Sequence, residues 1–218
     1  MIVQEDINCI GEWATKLFND GIVTQAEGCL SLRNNSQMLI TQAGADFENF
    51  SEDAVVKVNL LDCSYDHGKM PHRDYQLHAA LYNKKNNFNV LVHTVLPNTV
   101  TSSKAGREVL PLLDDIAQIV GASVKIAAYD EPVNQAVIKS AINSLKRRSG
   151  ALLKDSGAIC GAYNFSDAQA VAQVLEKGCK SFIETEFLGG GKKINFIEAN
   201  LMRFVYNIKY SKQDVQNR

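Results

Sequence analysis

Apolar side chains first recur at Ile7, Ile10, Ala14, Leu17 and Phe18, the spacing of one helix face, with Trp13 close by and Gly21 as a stop. The period then shortens. Cys29-Leu30-Ser31-Leu32-Arg33 and Gln37-Met38-Leu39-Ile40-Thr41 flank Asn34-Asn35-Ser36, which predicts a hairpin. Thr41-Gln42-Ala43-Gly44 ends its second strand in a loop, and Ser51-Glu52-Asp53 predicts a short helical turn before a strand over 55–61. A polar loop over 62–71 leads to a helix over 74–85, with Leu77, His78, Ala80 and Leu81 inward, and then to a strand over 88–93. Residues 97–104 read as loop, 109–121 as a helix broken near its start by Pro111, 123–128 as a strand and 132–148 as a helix. Two short strands, 151–153 and 158–161, enclose Asp155-Ser156-Gly157. Ser166 opens a long helix, with Ser166 and Gln169 as a capping box. Gly189-Gly190-Gly191 closes that region, residues 194–210 fit neither period better than the other, and the polar tail from about 211 is expected to fray.

Helices and strands alternate irregularly around at least one hairpin, which predicts a mixed sheet covered by helices rather than a regular βαβ wind. The 218 residues suit one domain spanning 1–218. The net charge of −1 gives no field that would favour nucleic acid or an anionic membrane. The only basic run, Lys146-Arg147-Arg148, reads as complement to a helix C-terminus. The first residues carry acids where a signal peptide would be basic, and no stretch has the length of a membrane span. The five cysteines show no CxxC spacing and read as reduced thiols of a cytoplasmic protein, which makes a zinc site built from them unexpected.

All four histidines fall between His67 and His93, and the strand over 88–93 delivers His93 to the point where the apolar run ends. A histidine at a strand end near a carboxylate, Asp74, is a place for chemistry. His78, on the inner face of its helix, reads as held by a neighbouring backbone group. Ser156-Gly157 reads as a tight turn, with no base for a serine nucleophile nearby in sequence.

Several fragments in order resemble the class II aldolase/adducin family: Glu27 to Arg33, Leu39 to Gly44, Pro71-His72-Arg73-Asp74 with His78 and Tyr82, Val92-His93-Thr94-Val95 with Pro97, and Leu152 to Gly157 with Gly161. The resemblance implies a three-layer α/β/α fold around a mixed, mostly antiparallel sheet, in a ring-like homotetramer. It also implies a divalent metal, usually zinc, on three histidines. Two form a His-x-His pair, whose i and i+2 side chains share one strand face, and the third precedes a glycine. Here the first is His93, but Val95 and Ser156 stand at the other two positions. The family's acid/base glutamate falls at Asp74, one methylene shorter.

The family's phosphate pocket uses a Gly-Asn-x-Ser turn, a Thr-x-x-Gly loop and a Ser-Ser pair. The turn is Gly28-Cys29-Leu30-Ser31 here, the loop keeps Thr41 and Gly44, and the pair is His72-Arg73. Arg73 reads equally as an anion grip or a surface arginine; Thr41 and Gly44 read as anion donors or as an ordinary turn. His93 reads as a residual ligand or proton carrier, or, as preferred, a histidine hydrogen-bonded in a vacated cleft. Tyr206 and Tyr210 read as packing residues, with a neighbour's cleft as the other option.

With the ion gone, the enediolate of aldol cleavage has no charge partner. The expectation is therefore a class II aldolase-like protein without cofactor: a non-catalytic or altered binder of a small phosphorylated or anionic sugar-like ligand, or of a partner protein. The alternative is an active sugar-phosphate aldolase or epimerase, with zinc or another divalent metal in a rearranged site of His72, Asp74 and His93.

Overall fold

The computed structural model describes residues 4–216, with side chains as far as Lys209. Its elements run α1 (Gln4–Asn19), β1 (Cys29–Asn34), β2 (Gln37–Thr41), β3 (Val55–Asn59), α2 (Tyr75–Lys84), β4 (Val90–Thr94), α3 (Pro97–Ala105), β5 (Ile126–Ala127), α4 (Gln135–Ser144), β6 (Gly150–Leu153), β7 (Ala158–Ala162), α5 (Phe165–Phe187) and α6 (Phe196–Gln216). The strands form one seven-stranded sheet in the order β3-β2-β1-β4-β7-β6-β5. Every pairing is antiparallel except β5 with β6. This is the three-layer arrangement expected, with helices on both faces.

Alternation along the strands builds two cores. Leu30, Leu39, Val90, Val92 and Cys160 pack with Ile10, Leu17, Ala172 and Leu175 from α1 and α5. Cys29, Ile40, Leu91 and Ile159, on the other face, pack with Leu77, Leu81, Val137 and Ala141 from α2 and α4. A period of two in the sheet and near 3.6 in the helices suffices to bury both faces.

The departures from sequence have local causes. Residues 97–105 form helix α3, not a loop. Pro97 stands at its first turn, and the Glu176 carboxylate of α5 accepts the backbone N–H groups of Asn98 and Thr99. Its inward side chains are Thr99, Ser102 and Ser103, so polar composition hid a buried helix. The helix expected over 109–121 is only a wide turn, Ile116–Val120, because Val109 instead bridges to Val124. The strand over 123–128 shrinks to β5.

The N-cap of α5 is Asn164, which accepts from the Asp167 N–H. The expected Ser166 box does not form, because Gln169 reaches Asp20 instead. The ambiguous stretch after Ile194 is helix α6, tied down by buried Ala199 and by Arg203, which donates to the Gln118 and Ile119 carbonyls. The helix runs on to Gln216 through the segment read as a frayed tail; residues 217–218 and the Tyr210 side chain lie outside the described residues. The described cysteines are free, and no described helix is long and apolar enough to cross a membrane.

Candidate functional site

Strand alternation decides where His93 points. Val90 and Val92 of β4 belong to the α1/α5 core and Leu91 to the α2/α4 core, so His93 faces α2. It pairs with Cys29 of β1 on one side and Ile159 of β7 on the other. Two glycines let chain close around this strand end. A Cβ on Gly28 (φ +96°) would stand 2.9 Å from the His93 carbonyl oxygen, and one on Gly157 (φ +84°) would collide with that of Thr94.

The loop before α2 is pinned to β2: Pro71 bridges to Gln42, and the His72 N–H donates to the Thr41 carbonyl at 3.0 Å. Asp74 thus arrives at the N-cap position of α2, yet its carboxylate makes no capping bond. It turns inward and is fully buried. Its Oδ2 accepts from His93 Nδ1 at 2.6 Å and its Oδ1 from the Tyr129 hydroxyl at 2.7 Å. His93 Nε2 donates to the Ser156 carbonyl at 2.5 Å, with the Ser156 hydroxyl 3.4 Å away. Each ring nitrogen faces an acceptor that carries no proton, so His93 is held as an imidazolium. Burial alone would lower its pKa, but the Asp74 charge and hydrogen bond outweigh that and raise it. Burial would raise Asp74 in turn; the His93 cation holds it well below the usual carboxylate range. Burial, and then the Asp74 charge, push the Tyr129 phenol up.

The other expected residues divide into two groups. Gly28, Gly44, His72 and Arg73 meet around a cleft of about 120 Å³. By the same measure one water needs roughly 10–15 Å³, so the cleft holds several. Arg73 is half exposed and pairs with Glu131 at 2.9 Å, so an anion here competes with a carboxylate. Ser31 and Thr41 stay out of the cleft. The Ser31 hydroxyl is buried between His78 Nδ1 (2.8 Å) and the Tyr82 hydroxyl (2.7 Å). Thr41 pairs with Val55, on the α1/α5 face, and its buried hydroxyl has no partner among the described residues. His78 is inward as expected, but a side chain, Ser31, holds it rather than backbone.

Burial lowers His78 to about 3 and His72 to about 4, in both against the pull of Asp74. Cys29 is fully buried beside His78, and its thiol is pushed well above its ordinary value by burial and then by Asp74. Sequence reading missed Tyr129 and Glu131; the only signal was their place just past a predicted strand end. A larger cleft, about 780 Å³, lies under α6. Three of its cations, Arg148, Arg203 and Lys85, donate to carbonyls of Ser123, Gln118 and Leu145, and its lining shares no residue with the site above.

The sequence pattern of the Class II Aldolase and Adducin N-terminal domain matches residues 10–183. The chain belongs to the class II aldolase and adducin family. Among the family's members, 5-deoxy-D-ribulose 1-phosphate aldolase of Bacillus thuringiensis is 26% identical over 194 residues, covering 88% of this chain and 91% of that one. L-fuculose phosphate aldolase of Escherichia coli is 25% identical over 165 residues, 76% of each chain. A solved L-fuculose 1-phosphate aldolase superposes with a TM-score of 0.88 at 18% identity, covering 95% of this chain and 98% of that one, which establishes the shared fold.

The family resemblance implies a metal on three histidines, and the residues at those positions do not fit it. Both His93 nitrogens are donors, and a ligand needs a free lone pair. Val95 has no donor atom, and Ser156 turns its carbonyl to His93.

Proposed function

We propose that this chain binds a small anionic ligand of the sugar-phosphate kind in the cleft of Gly28, Gly44, His72 and Arg73, without metal-dependent carbon–carbon cleavage at His93. The observation that carries this reading is the double engagement of His93, with Asp74 on one nitrogen and the Ser156 carbonyl on the other. An imidazolium locked between two acceptors has no lone pair for an ion and no free proton for a substrate oxygen. Losing the electrostatic partner of a developing oxyanion costs about 3–4 kcal/mol of barrier for each donor removed. The ligand class is supported by the relatives, whose names specify sugar-phosphate substrates, and by the cation Arg73 at the cleft.

The test is calorimetric titration with sugar 1-phosphates and their unphosphorylated forms, alongside an assay for aldehyde release. The expected result is saturable binding of the phosphorylated compounds only, with no release. Turnover that disappears in His93→Gln would refute this reading.

A second reading, sugar-phosphate lyase or epimerase, is favoured by one observation: Asp74 and Tyr129 form a carboxylate–phenol pair, a plausible proton carrier, next to the same cleft. It predicts turnover abolished in Asp74→Asn with binding retained.

The free cysteines support a cytoplasmic location. On α6, Ile197, Leu201 and Phe204 are exposed at spacings of four and three, an apolar seam that supports a homo-oligomer, a tetramer by family resemblance.

A further inference from the structure

The metal-binding residue types that this chain lacks in one place recur in another. Beside His93, Val95 and Ser156 stand where the family pattern has histidines. At the phosphate turn the pattern's asparagine is Cys29, and at the Ser-Ser pair the first serine is His72. The fold brings these two gained donors to Asp74. One atom from each of Cys29, His72 and Asp74 lies within 4.8 Å of the others, and all three residues are buried. We infer that Cys29, His72 and Asp74 form a binding site for one divalent transition-metal ion of zinc or cobalt type, displaced from the family's histidine position.

The donor chemistry selects the ion. A thiolate, an imidazole and a carboxylate together suit a borderline-soft cation and disfavour magnesium and calcium, which take oxygen. Metal–donor lengths of about 2.0–2.3 Å place donors about 3.5 Å apart in a tetrahedral site, so two donors at the 4.8 Å limit close by about 1.3 Å. The thiolate formed on binding cancels one of the two charges of the ion; Asp74 is already paired with the His93 cation, so one net positive charge is added beside the anion cleft.

The surroundings already orient the donors. Asp74 is fixed by Tyr129 and His93, one on each oxygen, and each carboxylate oxygen keeps a second lone pair for an ion. The Cys29 thiol lies 3.6 Å from His78 Nε2, whose other nitrogen is on Ser31. When the sulfur–metal bond forms, the S–H bond breaks and its proton leaves to solvent, one per ion bound. Three protein donors leave a coordination position open, as in sites that take a substrate atom. His72 also lines the cleft, so an ion on it sits beside the bound anion. Anion binding itself does not depend on the ion, and the two proposals fail separately.

The test is a cobalt(II) titration of chelator-treated protein, followed by near-ultraviolet and visible absorption and by proton release. The expected result is a thiolate-to-cobalt charge-transfer band that saturates at one ion per chain with release of one proton. The band is lost in Cys29→Ser, weakened about tenfold or more in affinity in His72→Gln, and kept in His93→Gln. Absence of stoichiometric cobalt, or a band that survives Cys29→Ser, overturns the site. Loss in His93→Gln with retention in Cys29→Ser overturns it too, since the ion would then sit at the family position. Unfolding midpoints of the variants establish that each is folded, with Cys29→Ala in place of any serine variant that is not. Sugar-phosphate binding by the chelator-treated protein is read separately and tests the cleft alone.

Discussion

His93 Nδ1 and Asp74 Oδ2 meet at 2.6 Å with almost no solvent on either side. A buried pair of this kind is costly to break from one end, because the remaining charge has nowhere to go. Asp74→Asn is therefore expected to lower unfolding free energy by about 3–5 kcal/mol in urea titration. A loss under about 1 kcal/mol would mean that His93 is neutral in the folded protein.

The two other buried histidines set the acid limb of stability. In the folded chain His72 and His78 protonate only at about 4 and about 3, whereas unfolded histidine does so near ~6.5. Bases with depressed folded values disfavour the native state once the pH drops below the unfolded value. His93, with a raised value, contributes stability that is fully present below about 6.5 and lost as pH rises through its folded value. Asp74, with a lowered value, contributes above about 4 and loses that only as pH falls through its folded value. Near pH 5 unfolding should thus take up about two protons, a slope of about 2–3 kcal/mol per pH unit. Denaturant titrations of chelator-treated protein at several pH values measure it, and His78→Gln should halve it.

Gly157 and Gly44 both have left-handed backbones, at φ +84° and +70°, but only Gly157 has a neighbour in the way. Gly44→Ala should cost about 1–2 kcal/mol, the conformational penalty alone. Gly157→Ala should cost about 4 kcal/mol or more, since its Cβ meets the Thr94 carbonyl and displaces the Ser156 turn from His93. Equal midpoints for the two variants would contradict this geometry.

Arg73 and Thr41 should part company in binding experiments. Arg73→Ala is expected to weaken phosphate-ester binding about tenfold or more, because a charge-assisted contact is worth about 1.5–3 kcal/mol and Glu131 is left unopposed. Thr41→Val should leave affinity unchanged and gain about 1 kcal/mol of stability, since a buried hydroxyl without a partner is removed. Calorimetry and thermal unfolding of both variants decide it; a Thr41→Val protein that no longer binds would return its hydroxyl to the cleft.

Charge on the α6 seam should separate copies. Leu201 and Phe204 are 59% and 61% exposed, and Leu201→Glu with Phe204→Glu is expected to shift sedimentation toward the monomer. An unchanged sedimentation coefficient would exclude this face as the contact.

Much of the fold was legible because burial follows period. The alternation through Cys29 to Thr41 and through Val90 to His93, and the helical spacing of Ile10, Ala14 and Leu17, are local patterns that need no distant partner. So was the family, since its fragments keep order and spacing along the chain. What stayed hidden depends on partners far away in sequence. Helix α3 looks like a loop until Glu176 caps it; Ser31 and Thr41 look like phosphate donors until the sheet turns them into its two faces. The site itself was half legible: Asp74 and His93 were singled out, but nothing local says that one would ionise the other. That required Ser156, 63 residues on, to aim a carbonyl at the second nitrogen. It likewise took β1 and the α2 loop, pinned through Thr41, to bring Cys29 and His72 to one carboxylate. Residue types and periods are written along the chain; protonation states and donor groups are decided by which atoms the tertiary structure brings within a few ångströms.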